Sequence, residues 1–351
     1  QSEVAWVRPL DLAEELFDAT SAKEVLQRCE QLWTPWTRAG CPSQAGNSVP
    51  NVPEAAFMLR RLATSGASCS RAERSSLSRE PFVRGLISHI VASACHCSSA
   101  DERCQAVANT VWSLAVLAGP FLYAEEMAAI VEEPCNFERG IFRPSQVADL
   151  CWGLAICQHE PTRLESFVEV IATTEGGLRA YNQKDITTVL WALATLRPPP
   201  SAMVTLLRST PLTWGGSGRQ ADVSWAPLDL STDQLSTCAW ALAVMGAAEA
   251  PQLLRMWQDI CERSDSFLKA TNTRFSLLRI HQVALTLEME SSYDPRALHG
   301  DGRKVMAAAR RAWNRDSGNV RSKHVSHLQR EIGTALATLG LNALEESNVA
   351  G

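Results

Sequence analysis

Tyrosine is almost missing from this chain of 351 residues: three are present, beside eleven tryptophans. No stretch approaches the roughly 18 uninterrupted apolar residues of a membrane-spanning helix, so insertion into a bilayer is not expected. Positive charge is not in excess either, since 33 Lys and Arg stand against 38 Asp and Glu for a net of -5. That balance excludes a uniformly basic nucleic-acid binder while leaving room for a local basic face. Paired cysteine spacing is also lacking. The count of eleven is odd, and Cys151, Cys157, Cys238 and Cys261 fall inside apolar helical runs, which suits reduced thiols inside a cell or organelle. The segment Cys95-His96-Cys97, with Cys104 beyond it, lacks the spacing of a structural zinc site and reads as a helix end with free thiols. His324 and His327 lack the glutamate that would complete a metal or hydrolase motif. Gly-rich phosphate loops, Gly-x-Ser-x-Gly elbows and His-Glu-x-x-His motifs are missing too, so neither an enzyme nor a cofactor is expected. The chain opens at Gln1 with no secretory leader, and it reads as a mature product without its presequence or as a fragment.

What the chain does contain is 46% apolar residues at a mean hydropathy of -0.10, enough for a sizeable core. It also contains a repeat. VANTVWSLAVLAG (107–119), VADLCWGLAICQH (147–159), ITTVLWALATLRP (186–198) and LSTCAWALAVMGA (235–247) place Trp112, Trp152, Trp191 and Trp240 at spacings of 40, 39 and 49. The long interval contains a Gly- and Pro-rich run (215–229) that reads as a loop insertion. Two degenerate copies put Phe57 (52–64) and His281 (275–288) at the tryptophan position.

Within 107–117, Val107, Val111, Leu114 and Leu117 share one helical face, and Ala108, Trp112 and Ala115 an adjacent one. Two apolar stripes imply a helix covered on both sides, with the tryptophans in the core. The alanines three residues after each Trp (Ala115, Ala155, Ala194, Ala243) leave room for a neighbouring helix. Second amphipathic segments at 81–94, 164–174, 201–209 and 251–270 alternate with the Trp helices. A two-helix unit of about forty residues that cannot bury its own faces predicts an all-α solenoid. The expected organisation is capping helices and a loop (1–50), the repeats (51–290) and basic C-terminal helices (291–351). The serine-rich stretch 65–79 reads as an exposed, mobile connector.

The string Asn109-Thr-Val-Trp112-Ser-Leu-Ala115 and its three relatives resemble the Trp-x-Leu-Ala core of octotricopeptide and heptatricopeptide repeats, found in organellar RNA-binding proteins and the FAST-kinase-like group. IHQVALTLEME (280–290) and SKHVSHLQREIGTALATLGLNALEE (322–346) resemble the approach to a RAP domain in such proteins. The resemblance covers about residues 50–351. It implies a mitochondrial or plastid protein that binds a transcript or ribosomal RNA without catalysis. The body of a RAP domain is not in the sequence, which reads as truncated there or as having lost it, so no activity of that domain carries over. The 49-residue interval also interrupts any register of one repeat per nucleotide.

Helical-repeat RNA binders read bases through one polar position per repeat. Three residues before each Trp stand Asn109, Asp149, Thr188 and Thr237, with Glu54 in the first degenerate copy. These are candidates for base contact, and helix capping is the competing reading. Cations for phosphate contact cluster in two zones. Residues 301–330 carry a net of +6, with Arg303, Lys304, Arg310, Arg311, Arg315, Arg321 and Lys323 as candidates and Trp313 among them as a stacking ring. Residues 59–90 carry a net of +4, with Arg60, Arg61 and Arg84 as candidates. RNA is thus the expected partner, and a protein-interaction scaffold inside a large organellar complex is the alternative. Small residues just after the Trp, such as Gly153, Ala192 and Ala241, favour the scaffold because they offer no base contact.

Overall fold

A computed structural model of the chain describes residues 16, 19, 21–38, 51–119, 122–133, 142–162, 167–169, 171, 180–197, 206, 230–270, 273–291 and 302–320. Among these residues the regular structure is entirely helical. The helices are α1 (Ala22–Arg38), α2 (Val52–Gly66), α3 (Arg71–Leu77), α4 (Pro81–Ser93), α5 (Ala100–Ala118), α6 (Ala124–Val131) and α7 (Pro144–Cys157). They continue with α8 (Gln183–Leu196), α9 (Thr232–Val244), α10 (Pro251–Glu262), α11 (Ser264–Lys269), α12 (Thr273–Glu290) and α13 (Gly302–Val320). The proposed insertion at 215–229 and the RAP-like run at 322–346 lie outside the described residues.

Local chemistry sets the helix ends. Asn51 accepts from the Glu54 amide at 2.9 Å while Glu54 accepts from the Asn51 amide, a reciprocal cap repeated by Ser231 and Gln234 at α9. Ser99 and Asn182 start α5 and α8 in the simpler one-bond form. Gly119 (φ +63°) ends α5 in a backbone conformation that a side chain would strain.

Residues 65–79 correct the expectation of a mobile connector. Helix α2 runs to Gly66, and Ser70 with Glu73 forms a capping box that starts α3. The serines that made this stretch read as a loop include the one that nucleates a helix. The second segment expected at 251–270 is also divided, into α10 and α11 on either side of Arg263.

The helices bearing the repeat pack in sequence order: α2 on α5, α5 on α7, α7 on α8, α8 on α9, α9 on α12 and α12 on α13. Neighbours run parallel where contacts fix the direction. The starts of α5 and α7 meet through a Gln146 to Gln105 hydrogen bond of 3.0 Å, and Cys157 at the end of α7 lies 3.8 Å from the Gly119 carbonyl. Parallel neighbours need return segments. Accordingly α4 and α6 pack together beside the row, and α10 packs on α9 and α13. The apolar faces between these layers form one continuous core that includes Val107, Leu114, Leu154, Leu193, Leu242 and Val283.

Helix spacing is set by small side chains. Ser113, Gly153, Ala192 and Ala241, each one residue after its Trp, are buried. A Cβ on Gly153 would lie 2.8 Å from the Val111 carbonyl oxygen and 2.7 Å from its Cγ1. These residues therefore bring helices into contact, and their smallness says nothing about what binds the outer surface.

Candidate functional site

The repeat tryptophans lie at the edge of the core, not at its centre. Trp112, Trp152, Trp191 and Trp240 are each only half-buried, as is Phe57, while the fully buried indole belongs to Trp257 on α10. Phe57, Trp112, Trp191 and Trp240 pack against the apolar core while keeping part of their surface exposed. The rings of Trp112 and Trp152 lie 6.0 Å apart at 33°. At the far end of the row His281 lies 5.1 Å from Trp313. Trp313, expected as a ring within a basic run, thus continues the aromatic stripe on α13. The signal for this was available in the alanines that precede it, of which Ala308 and Ala309 are buried against the row.

The residues three before each Trp do not form a uniform reading row. Asn109 is 8% exposed and accepts a 2.9 Å bond from the Gln105 amide. Thr237 is 4% exposed and donates to the Asp233 carbonyl at 2.6 Å. Thr188 is half-buried and donates to the Lys184 carbonyl at 2.9 Å. Asp149 is half-buried and accepts from Arg60 at 2.6 Å. None of these four caps its helix; that work falls to Ser99, Asn182 and Ser231, with the Arg143 position at α7. Glu54 alone serves a cap.

Arg60 makes the longest reach on this face. From α2 it crosses α5, sets its guanidinium carbon 3.9 Å from the centroid of the Trp112 ring, and ends on Asp149 of α7. Packed helices stand about 8–10 Å apart, so a flat row would separate the α2 and α7 axes by roughly 16–20 Å, near the limit of an Arg–Asp pair. The bridge therefore argues that the row curves toward the indole face.

A second carboxylate near this face is likewise neutralised within the row: Asp233 accepts from Arg279 of α12 at 2.8 Å. Lys184, Thr188, Trp191 and Thr195 follow one another at 4/3/4 spacing along α8, with Lys184 exposed. Arg310 is exposed at the position three before Trp313, and its charge, after burial, helps hold the His281 imidazole below its ordinary pKa. With Asp149 and Asp233 paired, Lys184, beside the Asp185 carboxylate, and Arg310 are exposed cations on this stripe.

The other candidate cations do not gather here. Arg61 donates to the Leu16 carbonyl at 3.1 Å, toward the N-terminal helix. Arg84 sits on α4 in the second layer, beside Tyr123, whose hydroxyl donates to the Ser78 carbonyl. Arg303, Lys304, Arg311 and Arg315 are exposed along α13, and Arg321 and Lys323 lie outside the described residues.

The thiols are protected by burial. Cys29 is pushed up to about 12, Cys238 and Cys157 to about 11, and Cys151 is raised further. Cys157 opens on a small cleft with His159, whose Nε2 stands 3.8 Å from Glu132 and whose pKa is lowered by burial. Cys95 lies within a 3₁₀ turn (Ala94–His96) that Cys97 ends, while Cys104 is buried in α5. Among the described residues no cluster of His, Cys, Asp or Glu suits a metal ion, and no helix is long and apolar enough to cross a membrane.

No family model matches this chain, and no solved structure matches it. Among curated proteins it is similar to a RAP domain-containing protein, chloroplastic, of Oryza sativa subsp. japonica, with 23% identity over 270 residues. That match covers 70% of this chain and 41% of the rice protein, so the chain spans less than half of that relative's length.

Proposed function

We propose that this chain is an organellar RNA-binding protein that acts by binding alone, without catalysis, its parallel row forming an α-solenoid of repeats about forty residues long. The observation that carries the reading is the indole face: a half-exposed aromatic stripe on which Asp149 and Asp233 are neutralised while Lys184 and Arg310 remain exposed. Such a face offers stacking surfaces and phosphate contacts together, the combination that single-stranded nucleic acid requires. The chloroplastic RAP domain-containing relative supports a plastid address and the resemblance from which an RNA ligand, a transcript or ribosomal RNA, is inferred. Fluorescence anisotropy with short single-stranded RNAs across a salt series tests this. Binding with a steep salt slope, made shallower by Arg310→Ala with Arg311→Ala, is expected. No binding at low salt would overturn it.

A protein scaffold is the second reading. Phe275 and Met289 favour it, standing 66% and 80% exposed on α12, with Leu268 of α11 also exposed. Failure to bind RNA would leave this reading in place.

A further inference from the structure

Resting on the RNA reading, we propose that Arg60 and Asp149 form a strap that shuts the Trp112 segment of the indole face, so that single-stranded RNA stacks on Trp191 and Trp240. Arg60 occupies the ring surface that a base would need, 3.9 Å from the Trp112 centroid. It is held there by the 2.6 Å bond to Asp149, and both side chains are less than a third exposed. A base arriving at Trp112 would have to displace a cation already stacked on an aromatic face and paired with a carboxylate. Asp149 is then a positioning residue for Arg60 and does not read a base.

The next two helices differ. Trp191 and Trp240 are half-buried like Trp112, but among the described residues no ring or cation lies against either. Their flanks are open as well, with Thr195 exposed after Trp191 and Val244 43% exposed after Trp240. Lys184, on the same helical stripe as Trp191, supplies an exposed positive charge, which also acts on the neighbouring Asp185 carboxylate. The occupant this suits is a strand of planar bases linked by anions. Each base presents a π face whatever its identity, so this segment grips the strand without choosing its sequence.

The test uses the full chain with 5-bromouridine-containing single-stranded RNA, combining anisotropy with photocrosslinking and peptide mass spectrometry. Trp191→Ala and Trp240→Ala are each expected to weaken binding roughly 5- to 150-fold, whereas Trp112→Ala leaves it within about twofold. Trp191→Phe restores most of the loss while thermal melting stays near native, which separates stacking from folding. Crosslinks fall on the peptides holding Trp191 and Trp240, and Arg60→Ala or Asp149→Asn adds one at Trp112. Crosslinking at Trp112 in the native chain, or equal losses from Trp112→Ala and Trp191→Ala, would overturn the strap. RNA binding that is indifferent to Trp191 and Trp240 would overturn the stacking segment while sparing the RNA reading. No RNA binding at all would overturn both.

Discussion

At the α5–α7 seam Gly153 meets the Val111 backbone, a glutamine pair ties the helix starts, and Arg60 bridges above. At the α8–α9 seam a thiol lies 3.6 Å from the Thr187 hydroxyl, and both indoles are half-buried with no cation stacked on them among the described residues. The two seams are built from near-identical repeat helices. Their difference teaches that the tryptophan position alone does not decide whether its ring supports the fold or meets a ligand. What separates the two seams is the cation that Arg60, on the neighbouring helix, lays over Trp112.

Replacing Gly153 by Leu should break the closed seam most severely. The new side chain meets a backbone carbonyl that cannot move aside, so a loss of about 3 kcal/mol is expected in urea unfolding. Arg60→Ala should cost about 1–2 kcal/mol, since a ring contact and a half-buried ion pair are lost together. Lys184→Ala at the open seam should fall within about 0.5 kcal/mol in the same assay. A double-mutant cycle of Arg60→Ala with Asp149→Ala should show coupling, and additive losses would deny the bridge.

The His281–Trp313 contact extends the comparison to the end of the row. Burial, then Arg310, lowers the His281 pKa from 6.5, so the unfolded chain takes up the proton first. The stabilisation from the neutral imidazole is whole above about 6.5 and is lost as pH falls through the lower, folded pKa. His281→Phe should flatten the fall in urea midpoint between pH 7.5 and 5.5, and an unchanged profile would remove His281 from the account. The smallest effect is one of rates. Iodoacetamide should label exposed Cys95 first, then Cys238 at the looser seam, then Cys151 at the tight one. Peptide mass spectrometry reads that order, and Cys151 reacting before Cys238 would reverse the assignment of the two seams.

The helices and their order were legible because the Trp-centred pattern is local and recurs at nearly constant spacing. Its depth was not. An apolar stripe of period 3.6 marks a face as buried without saying how far, and the indoles proved to straddle its edge. Ser70 and Glu73 carried a readable capping box that serine-rich composition concealed. Trp313 escaped the repeat because α13 replaces Leu-Ala by a basic stretch, though Ala308 and Ala309 preserve the packing face. Arg60 and Asp149 lie 89 residues apart, and no spacing rule joins them. Their meeting depends on how α2, α5 and α7 pack together, a property of the assembled helices.

The parallel course of the row has an electrical side. Each helix carries about half a positive charge at its start and half a negative charge at its end, and parallel neighbours gather like poles along one border. The starts are met by acids: Glu54 on α2, Asp101 and Glu102 on α5, Asp185 on α8 and Asp233 on α9. The last turns of α2, α5, α7, α8 and α9 contain no basic residue. Part of the chain's acidity thus faces amide dipoles at one border. The opposite border keeps its negative ends, so on the proposed RNA reading a phosphate chain is disfavoured along that edge.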